Sequence, residues 1–243
     1  MTVYNGPSVV NDRIALHVDF ANTKCYPGTG TDVFDLSGND YNGTIVNLGT
    51  EVTYNSNGWL SFSFSTATGG SVSYAVNQLS TDPSAALGYA SGELTYEAWA
   101  YGNTIAASGG RIMSTDRSDY HALTSDTSNR IEFARDGTTE FHTPDNAVAA
   151  GAWYHIVGTC SRAINTSIIY INGTNVATSG TTIRNPIGDG STRTFAIGAN
   201  TESTVQNNYN WDGDIAIVRI YGKALSADEV NQNFEAHRVR FGV

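Results

Sequence analysis

Charge is scarce in this sequence. Charged residues make up 15% of the chain, against about 25% in an average soluble domain. Only 13 residues are Lys or Arg, they lie scattered, and the formal net charge is −10. A non-specific nucleic-acid binder needs a basic face to release counterions from phosphate, so nucleic acid is excluded as the expected partner. The same shortage disfavours anionic membrane surfaces. Long apolar runs are missing as well. None approaches the roughly 18 residues of a membrane span, so no membrane insertion is expected. The opening MTVYNGPSVVNDR has neither a basic n-region nor an apolar h-region, so it does not read as a signal peptide. There are two cysteines, Cys25 and Cys160. Two in this length make no disulfide framework; one bridge and two inert thiols both remain open.

What the sequence does hold is glycine, 25 residues of it, with many Ser, Thr and Asn. That composition favours strands joined by tight turns over helices held by surface ion pairs. No linker, charge block or repeat of about 20–50 residues divides the chain. All-β sandwiches of about 200–250 residues often form one domain, and residues 1–243 are read as one.

Short alternating runs recur between Gly, Asn, Asp and Ser clusters, which is the pattern of a sandwich or barrel. Ile14, Leu16, Val18 and Phe20 share one strand face, and Ala15, His17 and Asp19 share the other, expected to be wet. Trp59 to Phe64 sets Leu60, Phe62 and Phe64 on one face. Leu94 to Tyr101 opposes Leu94, Tyr96 and Ala98 to Thr95, Glu97 and Trp99. Shorter strands are expected at Ile112, His121 to Leu123 and Ile131 to Phe133, and strong ones at Trp153 to Thr159 and Ile168 to Ile171. Asn172-Gly173 follows the last of these. It is a two-residue hairpin signal, because a type I′ turn needs φ > 0 at both positions. Asn172 also lies in one of three N-x-S/T sequons, with Asn42 and Asn165, but its turn role explains it better. Ile215 to Tyr221 is apolar on both faces and reads as a strand deep in the sandwich. One short helix is expected late. Ser226 and Glu229 fit a capping box, Leu225 and Val230 a hydrophobic staple, Val230 and Phe234 share a face, and Phe241 is a final anchor.

Six motifs in order resemble the concanavalin A-like (laminin-G-like) jelly-roll superfamily. They are Asp19 with Tyr26-Pro27-Gly28, Asp35-Leu36-Ser37-Gly38-Asn39 and Asn42-Gly43-Thr44; LTYEAWAY (Leu94 to Tyr101); GAWYHIVGT (Gly151 to Thr159); IIYINGTNVA (Ile168 to Ala177); FAIGA (Phe195 to Ala199); and WDGDIAIVRIYGKALSADEV (Trp211 to Val230). The resemblance implies an all-β sandwich of two antiparallel sheets with one short C-terminal helix. The N-terminal stretch and the ending NQNFEAHRVRFGV are similar to versions in tailed-phage virion proteins. That implies a virion surface protein (capsid decoration, fibre or tail adhesin), made in the host cytoplasm. Its implied partners are other virion proteins and host-surface glycan, and a homo-oligomer is expected.

The family's glycoside hydrolases carry Glu-x-Asp-x-x-Glu on one strand, and this sequence has no such string. Retaining hydrolysis needs two carboxyls about 5–5.5 Å apart, so no enzyme activity is expected. A free lectin module and an atypical glycosidase are the alternative readings. Sugar sites combine aromatic rings with carboxylates and amides. Two loops hold that chemistry: Asp116, Arg117 and Tyr120 in one, and Asn208, Tyr209, Trp211 and Asp212 in the other. Trp211 has a second reading, as an inward-packed residue before the final strand. The resemblance also implies a Ca²⁺ near the sandwich edge, with Asp19 and Asp214 as donors. The family's acidic pair after Gly-x-Ile in its penultimate strand is here Ala216 and Ile217, which weakens the metal reading.

Overall fold

The computed structural model describes residues 6–63, 71–74, 92–105, 110–115, 121–135, 141–180, 195–201, 205–206 and 210–243. Two antiparallel sheets pack face to face. The first runs β14 (Thr174–Ser179), β13 (Thr166–Ile171), β12 (Trp153–Ser161), β7 (Glu93–Gly102), β18 (Gly213–Tyr221), β5 (Trp59–Phe62) and β4 (Val52–Asn55), with β1 (Ile14–Asp19) also on β18. The second runs β11 (Phe141–His142), β10 (Ile131–Arg135), β9 (His121–Ser125), β8 (Arg111–Thr115), β15 (Phe195–Ile197), β6 (Ser71–Tyr74), β3 (Gly43–Val46) and β2 (Asp32–Val33). β16 (Asn200–Thr201) and β17 (Val205–Gln206) form a separate two-stranded sheet. This is the expected jelly-roll sandwich.

The core lies between the sheets. Leu16, Val18, Leu60, Leu94, Tyr96, Ile169, Ile215 and Val218 face Ile45, Met113, Leu123, Phe133, Phe195 and Ile197. Tyr96 makes edge contacts with Phe133 and Phe195 at 6.0 and 6.4 Å. Gly158 on β12 leaves room for the Phe133 ring, which a Cβ there would meet at 2.7 Å. Cys25 and Cys160 are both free and buried in this core, and burial pushes each thiol up to about 12. The open question of a bridge therefore resolves to two inert thiols.

One edge of β18 is shared by two strands. β5 pairs with Gly213 to Ile215, and β1 pairs with Ile217 to Tyr221. A bulge between Ile215 and Ile217 marks the changeover. The Asp35–Asn39 loop covers the other edge of β1. Asp35 accepts from the His17 and Ser37 amides at 2.9 and 2.8 Å, and Asn39 donates to Ala15 O. The motif thus blunts an exposed strand edge.

The outer face of β1 is not wet, contrary to the reading of its alternation. Helix α1 (Ala227–Phe241) lies across the first sheet's outer face. It is also longer than expected, 15 residues. Ser226 and Glu229 form the capping box, and Gly242 closes the C-terminus in the left-handed region at φ 72°. Leu225 and Val230 pack in one cluster with Tyr170 and Tyr221, as the staple requires. Phe241 stacks on Trp99 with ring centroids 4.2 Å apart. Asn172 and Gly173 take φ values of 50° and 76° and close the β13–β14 hairpin, as the Asn-Gly signal predicts.

Candidate functional site

The two sequence-predicted loops differ in what can be said of them. Asp116, Arg117 and Tyr120 lie between β8 and β9, outside the described residues, and so do Asn208 and Tyr209. Their anchors are described. Thr115 and His121 flank the first loop, whereas Asn210, at the end of the second, bridges to Arg111. Arg111 and Thr115 are opposite ends of β8, about 13 Å apart at the usual strand rise. Asn210 is therefore bridged at the end of β8 away from Thr115.

Trp211 is not a surface platform. It is 1% exposed, and its indole N–H donates to Tyr101 O at 3.1 Å. Three glycines make room for its ring. A Cβ at Gly102, Gly110 or Gly213 would lie 3.4, 3.3 or 3.0 Å from it. The inward-packing reading of Trp211 is the correct one, because a buried indole cannot offer a face to a sugar. Asp212 is half-buried and holds a turn: it accepts from Thr104 Oγ1 at 2.7 Å and from Asn103 Nδ2 at 3.3 Å.

The two carboxylates expected to hold calcium do not fit that task. Asp19 Oδ1 accepts from the Ala21 amide at 3.0 Å and from Arg240 Nη1 at 2.9 Å, so a guanidinium already neutralises it. Asp214 is half-buried and bonded to the Ser61 side chain. It sits in register with Ser61 and Tyr101, beside β5 and β7, whereas Asp19 pairs with Ile217. Calcium takes six to eight oxygens, and no group of three potential ligands occurs among the described residues.

The strongest electrostatic feature lies under α1. Glu97 is 0% exposed. Its Oε1 accepts from Arg219 Nη1 at 2.5 Å and from His155 Nε2 at 3.1 Å, and its Oε2 accepts from Asn233 Nδ2 at 2.7 Å. Burial alone would raise the Glu97 pKa; the Arg219 charge and the bonds from His155 and Asn233 override it and hold the carboxyl far below the usual range. Arg219 Nη2 also lies 2.6 Å from His237 Nε2. A guanidinium only donates, so His237 accepts there as a neutral imidazole. His155 is thus a hydrogen-bonded framework residue.

Two comparisons place this architecture, and a search of curated protein sequences finds no match. Residues 76–231, more than half of the chain, match the family model Laminin_G_3, described as the concanavalin A-like lectin/glucanases superfamily. The chain belongs to the concanavalin A-like lectin/glucanase superfamily. Solved structures share its fold at low identity. Trypanosoma rangeli sialidase in complex with 2,3-difluorosialic acid matches with a TM-score of 0.67 and 13% identity over 97% of this chain and 35% of that one. The binding domain of botulinum neurotoxin DC in complex with SialylT gives 0.65 and 16%, over 92% and 51%. Domain 4 of AbnA, an extracellular arabinanase from Geobacillus stearothermophilus, in complex with arabinotriose gives 0.64 and 17%, over 92% and 98%. The chain spans about a third of the length of the sialidase chains it matches.

In this superfamily member the outer face of the first sheet carries the chemistry that sequence reading passed over. Strand alternation puts Glu97 and Trp99 on one face, but it cannot reveal that Arg219, 122 residues away, sits opposite. Nor can it show that Trp59 on β5 and Trp153 on β12 bring their rings to 5.2 Å.

Proposed function

We propose that this chain is a non-enzymatic carbohydrate-recognition module that acts on a virion surface, as a capsid decoration, fibre or tail adhesin. One observation carries the non-enzymatic part: Glu97, on the central strand, is sealed beneath α1 and pinned by three donors. A glycosidase needs a carboxyl pair open to the scissile bond. Glu93, the other acid of that strand, accepts from Ser161 Oγ at 3.2 Å. The carbohydrate part draws support from the superfamily and from two fold neighbours whose structures hold SialylT and arabinotriose. The virion part draws on the resemblance of the chain's opening and of NQNFEAHRVRFGV to tailed-phage proteins. That ending supplies Asn233, His237, Arg240 and Phe241 to the cap over the first sheet. Repeated copies on a particle would raise a weak sugar contact to useful avidity.

A glycan array probed with the intact protein, beside light scattering for oligomeric state, tests this reading. Saturable binding by an oligomer supports it. A stable oligomer that binds no glycan would leave only protein docking, and the carbohydrate part would fall.

A further inference from the structure

Where would a sugar sit, if Trp211 is buried? The register of the first sheet supplies an answer. Thr53, Ser61, Asp214, Tyr101 and Trp153 are consecutive cross-strand partners on β4, β5, β18, β7 and β12. Paired residues of an antiparallel sheet share a face. Their chain neighbours Val52, Leu60, Phe62, Ile215, Ala100 and Tyr154 belong to or pack on the inter-sheet core, so this row points outward. Trp59 is on the same face, two residues before Ser61. β5 and β12 flank β18 and β7. The Trp59 and Trp153 rings nevertheless meet edge to face at 5.2 Å, so the two indoles close over the strands between them. Tyr101 adds a third ring, 5.8 Å from Trp153. Phe241, at the end of α1, backs Trp153 at 4.7 Å and fixes its position.

None of these three rings is fully buried, and neither are Ser61 and Asp214. A half-buried carboxylate beside a hydroxyl and three rings is a costly arrangement for stability alone. Asp214 shows the cost: burial raises its carboxyl above the ordinary range, against a lowering bond from Ser61. The enclosed Trp59 indole N–H has no hydrogen-bond partner among the described residues, which leaves an unmet polar group in the same place.

We infer that this outer face is a saccharide-binding site, in which Trp59, Tyr101 and Trp153 take the apolar face of a sugar ring and Asp214 and Ser61 hydrogen-bond its hydroxyls. The inference rests on the carbohydrate reading above and gives it a location. Carbohydrate fits better than an apolar ligand, because a hydrocarbon would bury the carboxylate with only its Ser61 bond. It fits better than an anionic ligand, because Asp214 would repel one.

The test is titration of the intact protein with arabinotriose, cellotetraose and chitotriose, followed by tryptophan fluorescence and calorimetry. Asp214→Asn and Trp153→Ala are compared with Tyr120→Ala and Tyr209→Ala in the two loops. Tyr101→Phe accompanies them, since it keeps the ring and changes little packing. Expected are a ligand-induced change in tryptophan emission and a Kd raised about tenfold or more by Asp214→Asn and by Trp153→Ala, as loss of a charge-assisted bond or a stacked ring predicts. The loop variants leave the Kd unchanged. Circular dichroism separates lost binding from lost folding. If wild type binds and Asp214→Asn and Trp153→Ala bind equally well, this site is wrong while the carbohydrate reading stands. If the wild type binds none of these sugars and none on the array, both fall together.

Discussion

At the scale of single residues, Trp211 and Glu97 are both buried. Trp211 has the chemistry of a sugar platform and the position of a core residue. Trp211→Ala is expected to lower unfolding free energy by about 3–5 kcal/mol, the usual cost of removing a large buried side chain, with sugar affinity unchanged in whatever fraction remains folded. Urea denaturation checks the first part and titration the second; a stable variant with lost binding would contradict both. Glu97 makes the complementary case. Arg219→Met strands a buried carboxylate, and breaking such a pair typically costs about 3–5 kcal/mol. Replacing Glu97 and Arg219 together by apolar residues is expected to recover part of that loss, which a double-mutant cycle measures directly. Gly158→Ala would drive a methyl into the Phe133 ring. Overpacking of this kind costs about 1–3 kcal/mol, and Phe133→Leu in the same chain is expected to relieve it.

At the scale of elements, legibility followed the range of the interactions. The Asn172-Gly173 hairpin and the Ser226–Glu229 box were readable because each is closed by residues two or three positions apart. The strand faces of β1, β5 and β7 were readable from alternation for the same reason. What alternation hides is the partner of each face. Alternation alone makes the outer face of β1 wet, since Ala15, His17 and Asp19 are not strongly apolar, yet α1 approaches it from more than 200 residues away in sequence, with Arg240 reaching Asp19. The ring pair of Trp59 and Trp153 was illegible for the further reason that it depends on strand order, β5-β18-β7-β12. The helix can be tested as an element. Ser226→Ala removes one half of the capping box and is expected to cost about 1 kcal/mol. Hydrogen exchange within α1 should quicken more than in β7; equal protection would mean that the cap does not govern the helix.

At the scale of the whole molecule, the helix-covered face makes stability depend on pH. Burial, and then the Arg219 charge, push His17 down to about 3 and His237 down to about 4. In the unfolded chain both titrate near about 6.5. Between those values the unfolded state binds protons that the native state refuses, so stability falls as pH falls from about 6.5 towards about 4. Above about 6.5 neither histidine contributes a slope. Denaturation curves across this window should show the decline, and His237→Gln should flatten it. An unaltered slope in that variant would place the effect elsewhere. The physical consequence is a module that holds its α1 cap, and with it the Phe241 backing of Trp153, most firmly near neutrality.

Recognition of carbohydrate without turnover can be tested in one experiment. The most direct measurement passes a mixture of defined oligosaccharides over the immobilised intact protein, then identifies by mass spectrometry what is retained and what elutes. A subset is expected to be retarded and recovered at full length, however long the contact. Shortened products would contradict the non-enzymatic reading, and passage of every sugar unretarded would contradict recognition itself.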